Sequence, residues 1–199
     1  GEAINPAGDP TWLLWEDPDD TVDLIAIYGQ VDNVVTHALS YINVETEIAD
    51  VDLCIGSDDA VQVLVDDVEV HINNVARGSG NAGECQDTVD LDAALGGPLT
   101  AGVHTVLVKV FQGGGGHQLR VGFKDPATGN GLEGISSCTD PAGDACTVFT
   151  DSGARLIFNA TRQELADGVD YSVDFLEGIV SFSGSADGEP IGGDTAVNL

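Results

Sequence analysis

Residues 52–70 read DLCIGSDDAVQVLVDDVEV, and this stretch decides the fold. Apolar residues recur at every second position on either side of Asp58-Asp59, which is the period of a half-buried β-strand. The stretch therefore predicts a strand, an acidic turn, a second strand, a two-residue turn at Asp66-Asp67 and a third strand. Because Asp tolerates the backbone geometry of a two-residue hairpin turn, Asp66-Asp67 needs no ligand to explain it.

The same alternation recurs along the rest of the N-terminal two thirds of the chain. It covers residues 22–26, 42–46, 51–55, 61–65, 68–72, 103–111 and 119–123. Gly, Asp and Asn clusters interrupt these segments about every 8 to 12 residues, a spacing typical of β-sandwiches. Helical signal is limited to one short turn at residues 90–95. We therefore predict an all-β fold, an antiparallel β-sandwich of jelly-roll type with a small C-terminal β appendage.

Composition shifts near Ser136, where a cysteine-bounded, Pro- and Gly-rich loop begins. We predict that residues 1–136 form the sandwich. Residues 137–199 are expected to form a small disulfide-bounded β-hairpin unit or the start of a second module. Within this part, residues 171–175 alternate, Glu177-Gly178 turns the chain, and residues 179–182 return, which is a hairpin pattern.

The chain has 34 acidic and 6 basic residues and a formal net charge of −28. This excludes nucleic-acid binding, which needs a basic surface, and argues against docking on an anionic membrane. Three causes of the acidity stay open: a soluble self-repelling surface, adaptation to salty water, and divalent-cation sites. No apolar segment approaches the roughly 18 residues of a membrane span, so no membrane insertion is expected.

Four cysteines, Cys54, Cys85, Cys138 and Cys146, lack the CxxC spacing of zinc and redox motifs. An even count in such a chain indicates two disulfides and an oxidising, extracellular compartment. Of the three connectivities, proximity in sequence favours Cys138–Cys146 and Cys54–Cys85, and free buried thiols are the alternative. The chain begins at Gly1 without any Met, as a processed or excised piece of a longer protein would.

Motifs for catalysis are missing from the sequence. No Gly-x-Ser-x-Gly elbow occurs, and the four histidines lack HExxH spacing. We therefore expect a non-catalytic protein.

The Asp58-Asp59 doublet is the strongest candidate for a site. Successive side chains of a strand point to opposite faces, so the backbone must bend sharply for both carboxylates to hold one cation. A cis Asp-Asp peptide would achieve this, and calcium is the natural ion for clustered carboxylates. The alternative is an ordinary solvated hairpin turn. Likewise, Gly113–Gly116 is either a flexible hairpin loop or a ligand-facing loop whose carbonyls approach a cation or a sugar.

Three segments resemble PA14-like β-sandwich modules of large secreted bacterial proteins: residues 52–67, residues 71–77 (HINNVAR) and residues 99–110 (LTAGVHTVLVKV). The resemblance covers about residues 12–135. In calcium-dependent members, the adhesin-type lectins, an Asp-Asp pair joined by a cis peptide binds calcium, which then coordinates sugar hydroxyls. The resemblance thus implies calcium ligation by Asp58 and Asp59. Because loop 112–117 lacks the Asn of those lectins, Gln112 or backbone carbonyls would complete the site.

The ligand-binding residues implied in this way are Asp58, Asp59, Gly114, Gly115 and His117. The sequence therefore predicts a secreted or cell-surface, non-catalytic carbohydrate-binding module, monomeric within a longer chain, that binds a polysaccharide or glycan with calcium. The alternative is a structural or adhesive spacer in a giant surface protein, in which calcium only stabilises loops.

Overall fold

The computed structural model describes residues 21–81, 84–143 and 146, together with the backbone of Thr147 and of four further strands at 13–15, 158–164, 171–174 and 179–182. The strands are β1 (Leu13–Trp15), β2 (Val22–Asp23), β3 (Val34–Val44), β4 (Asp52–Asp58), β5 (Val61–Val65), β6 (Val68–Asn73), β7 (Asp87–Asp90), β8 (Gly102–Gln112), β9 (Gln118–Lys124), β10 (Ile135–Cys138), β11 (Cys146–Thr147), β12 (Phe158–Glu164), β13 (Tyr171–Asp174) and β14 (Ile179–Phe182). The helices are α1 (Leu24–Tyr28) and α2 (Leu91–Leu95).

Two antiparallel sheets account for most of the described strands. The larger sheet has the order β1-β12-β3-β8-β5-β6, and β10 pairs with both β3 and β11. The smaller sheet has the order β2-β9-β4-β7. Their facing side chains form one apolar core, so the predicted antiparallel β-sandwich is confirmed.

Alternation along the strands builds this core. Val61, Val63 and Val65 of β5 are 2%, 0% and 0% exposed, while the residues between them stay partly exposed. Leu53 and Ile55 of β4 meet them from the opposite sheet and are fully buried. Burying side chains of this size stabilises the fold by about 1.5–3 kcal/mol each.

One predicted strand is wrong over half its length. Residues 22–26 alternate, yet the strand ends at Asp23 and α1 follows at once. The Asp23 carboxylate accepts the N–H groups of Ile25 at 2.9 Å and Ala26 at 3.3 Å, which caps the first turn of the helix. Gly29, at φ +73°, then ends the helix with its N–H on the Ile25 carbonyl.

Two other local predictions are confirmed, those for the helix at residues 90–95 and for the turn at Asp66-Asp67. The short helix α2 begins after Asp90, whose carboxylate accepts the Ala93 N–H at 2.9 Å. Asp66 and Asp67 form the turn between β5 and β6 with φ values of +48° and +64°. These are left-handed conformations, which Asp tolerates better than most residues.

Both predicted disulfides, Cys54–Cys85 and Cys138–Cys146, are present. In the C-terminal part, β13 pairs antiparallel with β14 as predicted, while the predicted turn at Glu177-Gly178 lies outside the described residues. In addition, β12 lies beside β3 in the larger sheet, so the chain beyond residue 137 adds strands to the sandwich. The boundary at 136/137 stays a prediction. In the described part of the chain, no helix has the length and hydropathy to cross a membrane.

Candidate cation and ligand site at the crossing between the sheets

The Asp58-Asp59 doublet lies where the chain passes from one sheet to the other. β4 ends at Asp58 in the smaller sheet, and β5 begins at Val61 in the larger one. The two strands do not pair, so the hairpin turn considered from the sequence is wrong. The peptide bond between Asp58 and Asp59 is cis.

A second crossing runs beside the first. β8 of the larger sheet continues through Gly113–Gly116 into β9 of the smaller sheet, so this loop is not a hairpin loop either. Since β4 pairs with β9 and β5 pairs with β8, the two crossings are adjacent at the same end of the sandwich. The two crossings lie between the last cross-strand pair of β4 with β9, Asp58 with Gln118, and the first pair of β5 with β8, Val61 with Val110.

Asp59 connects the surrounding segments. Its side chain is only 8% exposed. Carboxylate atom Oδ1 accepts the Arg77 backbone N–H at 3.1 Å, and Oδ2 accepts the Gly113 backbone N–H at 2.8 Å. Its own N–H donates to the Phe111 carbonyl at 3.0 Å. One carboxylate thus holds two loops, 74–81 and 113–117, against the crossing.

Asp58 is half-buried and lies beside the other end of the glycine loop. A Cβ atom at Gly116 would overlap Oδ2 of Asp58, so only glycine fits there without displacing the carboxylate. Burial and the charge of Asp59 raise the pKa of Asp58, and the Ser79 backbone N–H, which donates to this carboxylate, opposes them. The pair is therefore a concentration of negative charge with backbone N–H groups as its donors.

The predicted loop residues are placed in two different ways. Gly114 and Gly115 are exposed beside the crossing, and the Gly115 carbonyl accepts the Gln30 side-chain amide at 3.2 Å. Gln112 and His117 are 0% and 2% exposed. By the alternation of β8, Gln112 shares the core-facing side with Val110, and the following N–H, that of Gly113, is the group that meets Asp59. Gln112 as a calcium ligand and His117 as a ligand contact stay predictions.

Sequence reasoning missed Arg77 and Asp87. The Arg77 Nη2 atom donates to Asp87 Oδ2 at 2.6 Å and to Ser57 Oγ at 2.9 Å. Asp87 also accepts from His71 Nε2 at 3.1 Å. Burial alone would raise the pKa of Asp87, but hydrogen bonds and charge from Arg77 and His71 outweigh it and hold that pKa below its ordinary value. The sequence offered one indication: Arg77 is one of only 6 Lys and Arg residues in the chain, so it is one of few possible partners for a buried carboxylate.

Asp32 was missed as well. A Cβ at Gly114 would lie 3.8 Å from the Asp32 Oδ1 atom, which puts this exposed carboxylate on the rim of the same loop. Among the described residues, no group of three or more His, Cys, Asp or Glu side chains converges as a metal site. Two carboxylates with backbone carbonyls still match the oxygen donors that calcium takes, so the residues present fit calcium with ligands drawn partly from the backbone or from solvent.

Comparison of the chain with protein-family models, with curated proteins and with solved structures finds no match.

Proposed function

We propose that the chain is a non-catalytic, PA14-like carbohydrate-binding module of a larger extracellular or cell-surface protein, and that it binds its glycan with calcium. The two disulfides support an oxidising compartment. The observation on which the proposal rests is the adjacency of the Asp58–Asp59 carboxylates and the exposed glycine loop at one end of the sandwich.

The charge at this crossing supports a cation. The donors to the pair are the backbone N–H groups of Arg77, Gly113 and Ser79, which are dipoles without a full charge. The Arg77 guanidinium turns to Asp87 instead. Two carboxylates this close in a partly buried place gain most from a divalent ion.

Asp58 and Asp59 would hold the ion through carboxylate oxygens, and carbonyls of the adjoining loop 113–116 would supply further oxygen donors. Calcium takes about 6–8 oxygen ligands, so when bound it offers positions for vicinal sugar hydroxyls. Glycine at the loop positions leaves room for a sugar close to the backbone. Single sites of this kind bind weakly and gain avidity when several modules act together.

The charge of the protein indicates an uncharged glycan. The net charge is −28, and two of the described arginines are already engaged. Arg77 pairs with Asp87, Arg120 donates to Thr21 Oγ1 at 2.6 Å, and Lys109 is half-buried. A sulfated or uronate glycan would meet a repulsive field, whereas a neutral glycan would not.

A glycan array run with calcium and with EDTA tests the proposal. We expect EDTA-sensitive binding by the wild type and loss of binding in Asp58→Asn, because the amide removes one charge from the pair. Asp67→Asn is the matched control, since it removes the same charge from the turn at the far end of β5. Array binding that survives EDTA, or that Asp58→Asn leaves intact, contradicts the calcium mechanism.

A structural spacer is the second candidate, and the bonds of Asp59 favour it. Because one carboxylate already joins loops 74–81 and 113–117, the doublet stabilises this end of the sandwich without any ligand. In that case calcium raises the melting temperature while the array stays silent. The two measurements together therefore separate the candidates.

A further inference from the structure

Loop 74–81 has no regular secondary structure, so side chains must hold its backbone in place. Its central residue, Arg77, is the best-anchored one. The guanidinium donates to Ser57 Oγ on β4 through Nε at 3.2 Å and Nη2 at 2.9 Å, and to Asp87 on β7 through Nη2 at 2.6 Å. The Arg77 side chain is 15% exposed and the Asp87 side chain 17%, so these bonds are shielded from solvent.

Asp87 is the charged partner of Arg77 in this arrangement. It accepts from Arg77, from His71 Nε2 at 3.1 Å and from Asn73 Nδ2 at 3.2 Å. It begins β7, which pairs with β4, and it follows Cys85 of the Cys54–Cys85 disulfide by two residues. Charged, multiply bonded groups of this kind hold their partners firmly.

Gln86, between the disulfide and Asp87, adds a second anchor. Its side-chain amide donates to the Gly78 carbonyl at 2.5 Å, and its oxygen accepts the Ser57 N–H at 2.8 Å. The loop is thus held at the Arg77 side chain and at the Gly78 carbonyl, which belongs to the same peptide unit as the Ser79 N–H. The Arg77 and Ser79 N–H groups are those that donate to Asp59 and Asp58.

We propose that Arg77 and Asp87 are the positioning residues of the Asp58–Asp59 site: they hold the Arg77 N–H on Asp59 and so preorganise the carboxylate pair for a cation. The part of this inference that concerns the cation rests on the proposed function. The physical reason is that a carboxylate fixed before binding loses little further freedom when the ion arrives. Residues that orient ligands in this way are known to matter nearly as much as the ligands themselves.

Two substitutions test whether the hydrogen-bond geometry of Arg77 and Asp87 matters beyond their charges. Asp87→Asn keeps the shape of the acceptor but removes its charge. Arg77→Lys keeps the positive charge but replaces the planar fork, which reaches Ser57 and Asp87 together, with a single ammonium. Asp66→Asn is the control for loss of a carboxylate charge, because Asp66 is also bound to a histidine, His104 at 2.6 Å, but lies at the far end of β5 and is more exposed than Asp87.

The first measurement is amide hydrogen exchange by NMR on the full chain without calcium. We expect Asp87→Asn and Arg77→Lys to speed exchange of the backbone N–H at position 77 by about ten-fold or more. The exchange rate of the Gly113 N–H, which donates to the other Asp59 oxygen, should change by less than about two-fold. The Asp66→Asn control should leave both N–H groups as in the wild type. Unchanged exchange at Arg77 in both variants overturns the proposal.

The second measurement is a calorimetric titration with calcium chloride alone. We expect Kd to rise by about ten-fold or more in both variants and to stay unchanged in the control. Faster exchange with an unchanged Kd shows that the anchoring has no bearing on the site and also overturns the proposal. If the wild type binds no calcium, the proposed function fails, and the exchange rates alone decide whether the two residues position Asp59. Should Asp87→Asn fail to fold, Arg77→Lys supplies the same test.

Discussion

Asp59 and Gly113 are joined across two crossings between the sheets, since the Gly113 backbone N–H donates to Oδ2 of Asp59 at 2.8 Å. The bond fixes the glycine loop beside the carboxylate pair whether or not a ligand is present. Because the loop lies so close to the Asp58–Asp59 pair, adding a side chain at one of its glycines should change the distance between loop and pair. Single Gly→Ala substitutions in the loop test this.

Gly116→Ala should disturb the site, whereas Gly114→Ala should not. A Cβ at Gly116 overlaps Asp58, and relieving such an overlap costs about 1–3 kcal/mol. A Cβ at Gly114 is 3.8 Å from Asp32, an ordinary contact, so Gly114→Ala should be neutral or stabilise by up to about 1 kcal/mol through the unfolded chain. Urea denaturation of both variants measures this. Equal midpoints would mean that Asp58 moves aside freely.

The sandwich could be predicted from the sequence because it rests on an alternation that is visible residue by residue. Val61, Val63 and Val65 point inward as their spacing requires. Alternation misled most at residues 22–26, where the Asp23 side chain caps a helix that spacing alone does not reveal, and it ran two residues past the end of β3 at Val44. Likewise, the acidic turn was found, but periodicity does not say whether two strands pair or lie in different sheets.

The candidate site was predictable only in part, for the same reason. Asp58 and Asp59 are neighbours in sequence, so their proximity needs no fold to reveal it. The bonds of Asp59 come instead from residues 18 and 54 positions away. Contacts at that separation depend on which strands pair, and Arg77 therefore had no detectable role before the sheet order was known.

Stability should fall as the pH drops from about 6.5 to about 4, and His37 should be a main cause. Burial, followed by the charge of Lys109, its cross-strand neighbour, lowers the pKa of His37 from 6.5 to about 4. Between these values the unfolded chain binds a proton that the folded chain does not, so stability is full above the upper value and declines below it. The loss approaches about 3 kcal/mol.

The check has two parts: urea denaturation across this pH range and an NMR titration of the His37 ring. In His37→Gln the stability curve should flatten in this window. A His37 ring that titrates near 6.5 in the folded protein contradicts the prediction.

Asp66 also makes stability fall as the pH drops, but in a lower pH range. Burial would raise the pKa of Asp66, but hydrogen bonds from His104 and Thr105 lower it below the ordinary value of 3.8. Its stabilisation is therefore present above 3.8 and disappears as the pH falls through the lower folded value. Asp66→Asn should weaken the protein at neutral pH and reduce the slope of acid denaturation, as measured by circular dichroism from pH 5 to about pH 1.

The two disulfides should differ in what they contribute. Cys54–Cys85 closes a separation of 31 residues and Cys138–Cys146 one of 8. Loop-closure entropy then gives about 4 kcal/mol for the former and about 2.5 kcal/mol for the latter. Double Cys→Ala variants, compared by denaturation, should follow this order. The reverse order would show that the shorter disulfide also supports structure beyond its own loop.

Sodium chloride and calcium should stabilise the protein by separate routes. Raising NaCl from about 0.1 M to about 1 M shortens the screening length from about 10 Å to about 3 Å and so weakens repulsion within a chain of net charge −28. The melting temperature should rise in the wild type and in Asp58→Asn alike. The extra rise from millimolar calcium should occur in the wild type alone. A calcium shift retained in Asp58→Asn places the ion elsewhere.

Asp32 should sharpen the preference for uncharged glycans. With a divalent ion between Asp58 and Asp59, the charges of the pair and the ion cancel, and the Asp32 carboxylate on the rim leaves the site negative. A uronate polymer would be drawn to the ion but repelled by Asp32 at close range, where salt screens little. Asp32→Asn should therefore improve binding of a uronate polymer relative to a neutral one in calcium, whereas Asp67→Asn, a charge loss at the far end of β5, should leave the ratio unchanged. An equal improvement in both variants would assign the selectivity to the overall charge of the protein. Tight binding of the uronate polymer by the wild type would contradict the proposed preference for uncharged glycans.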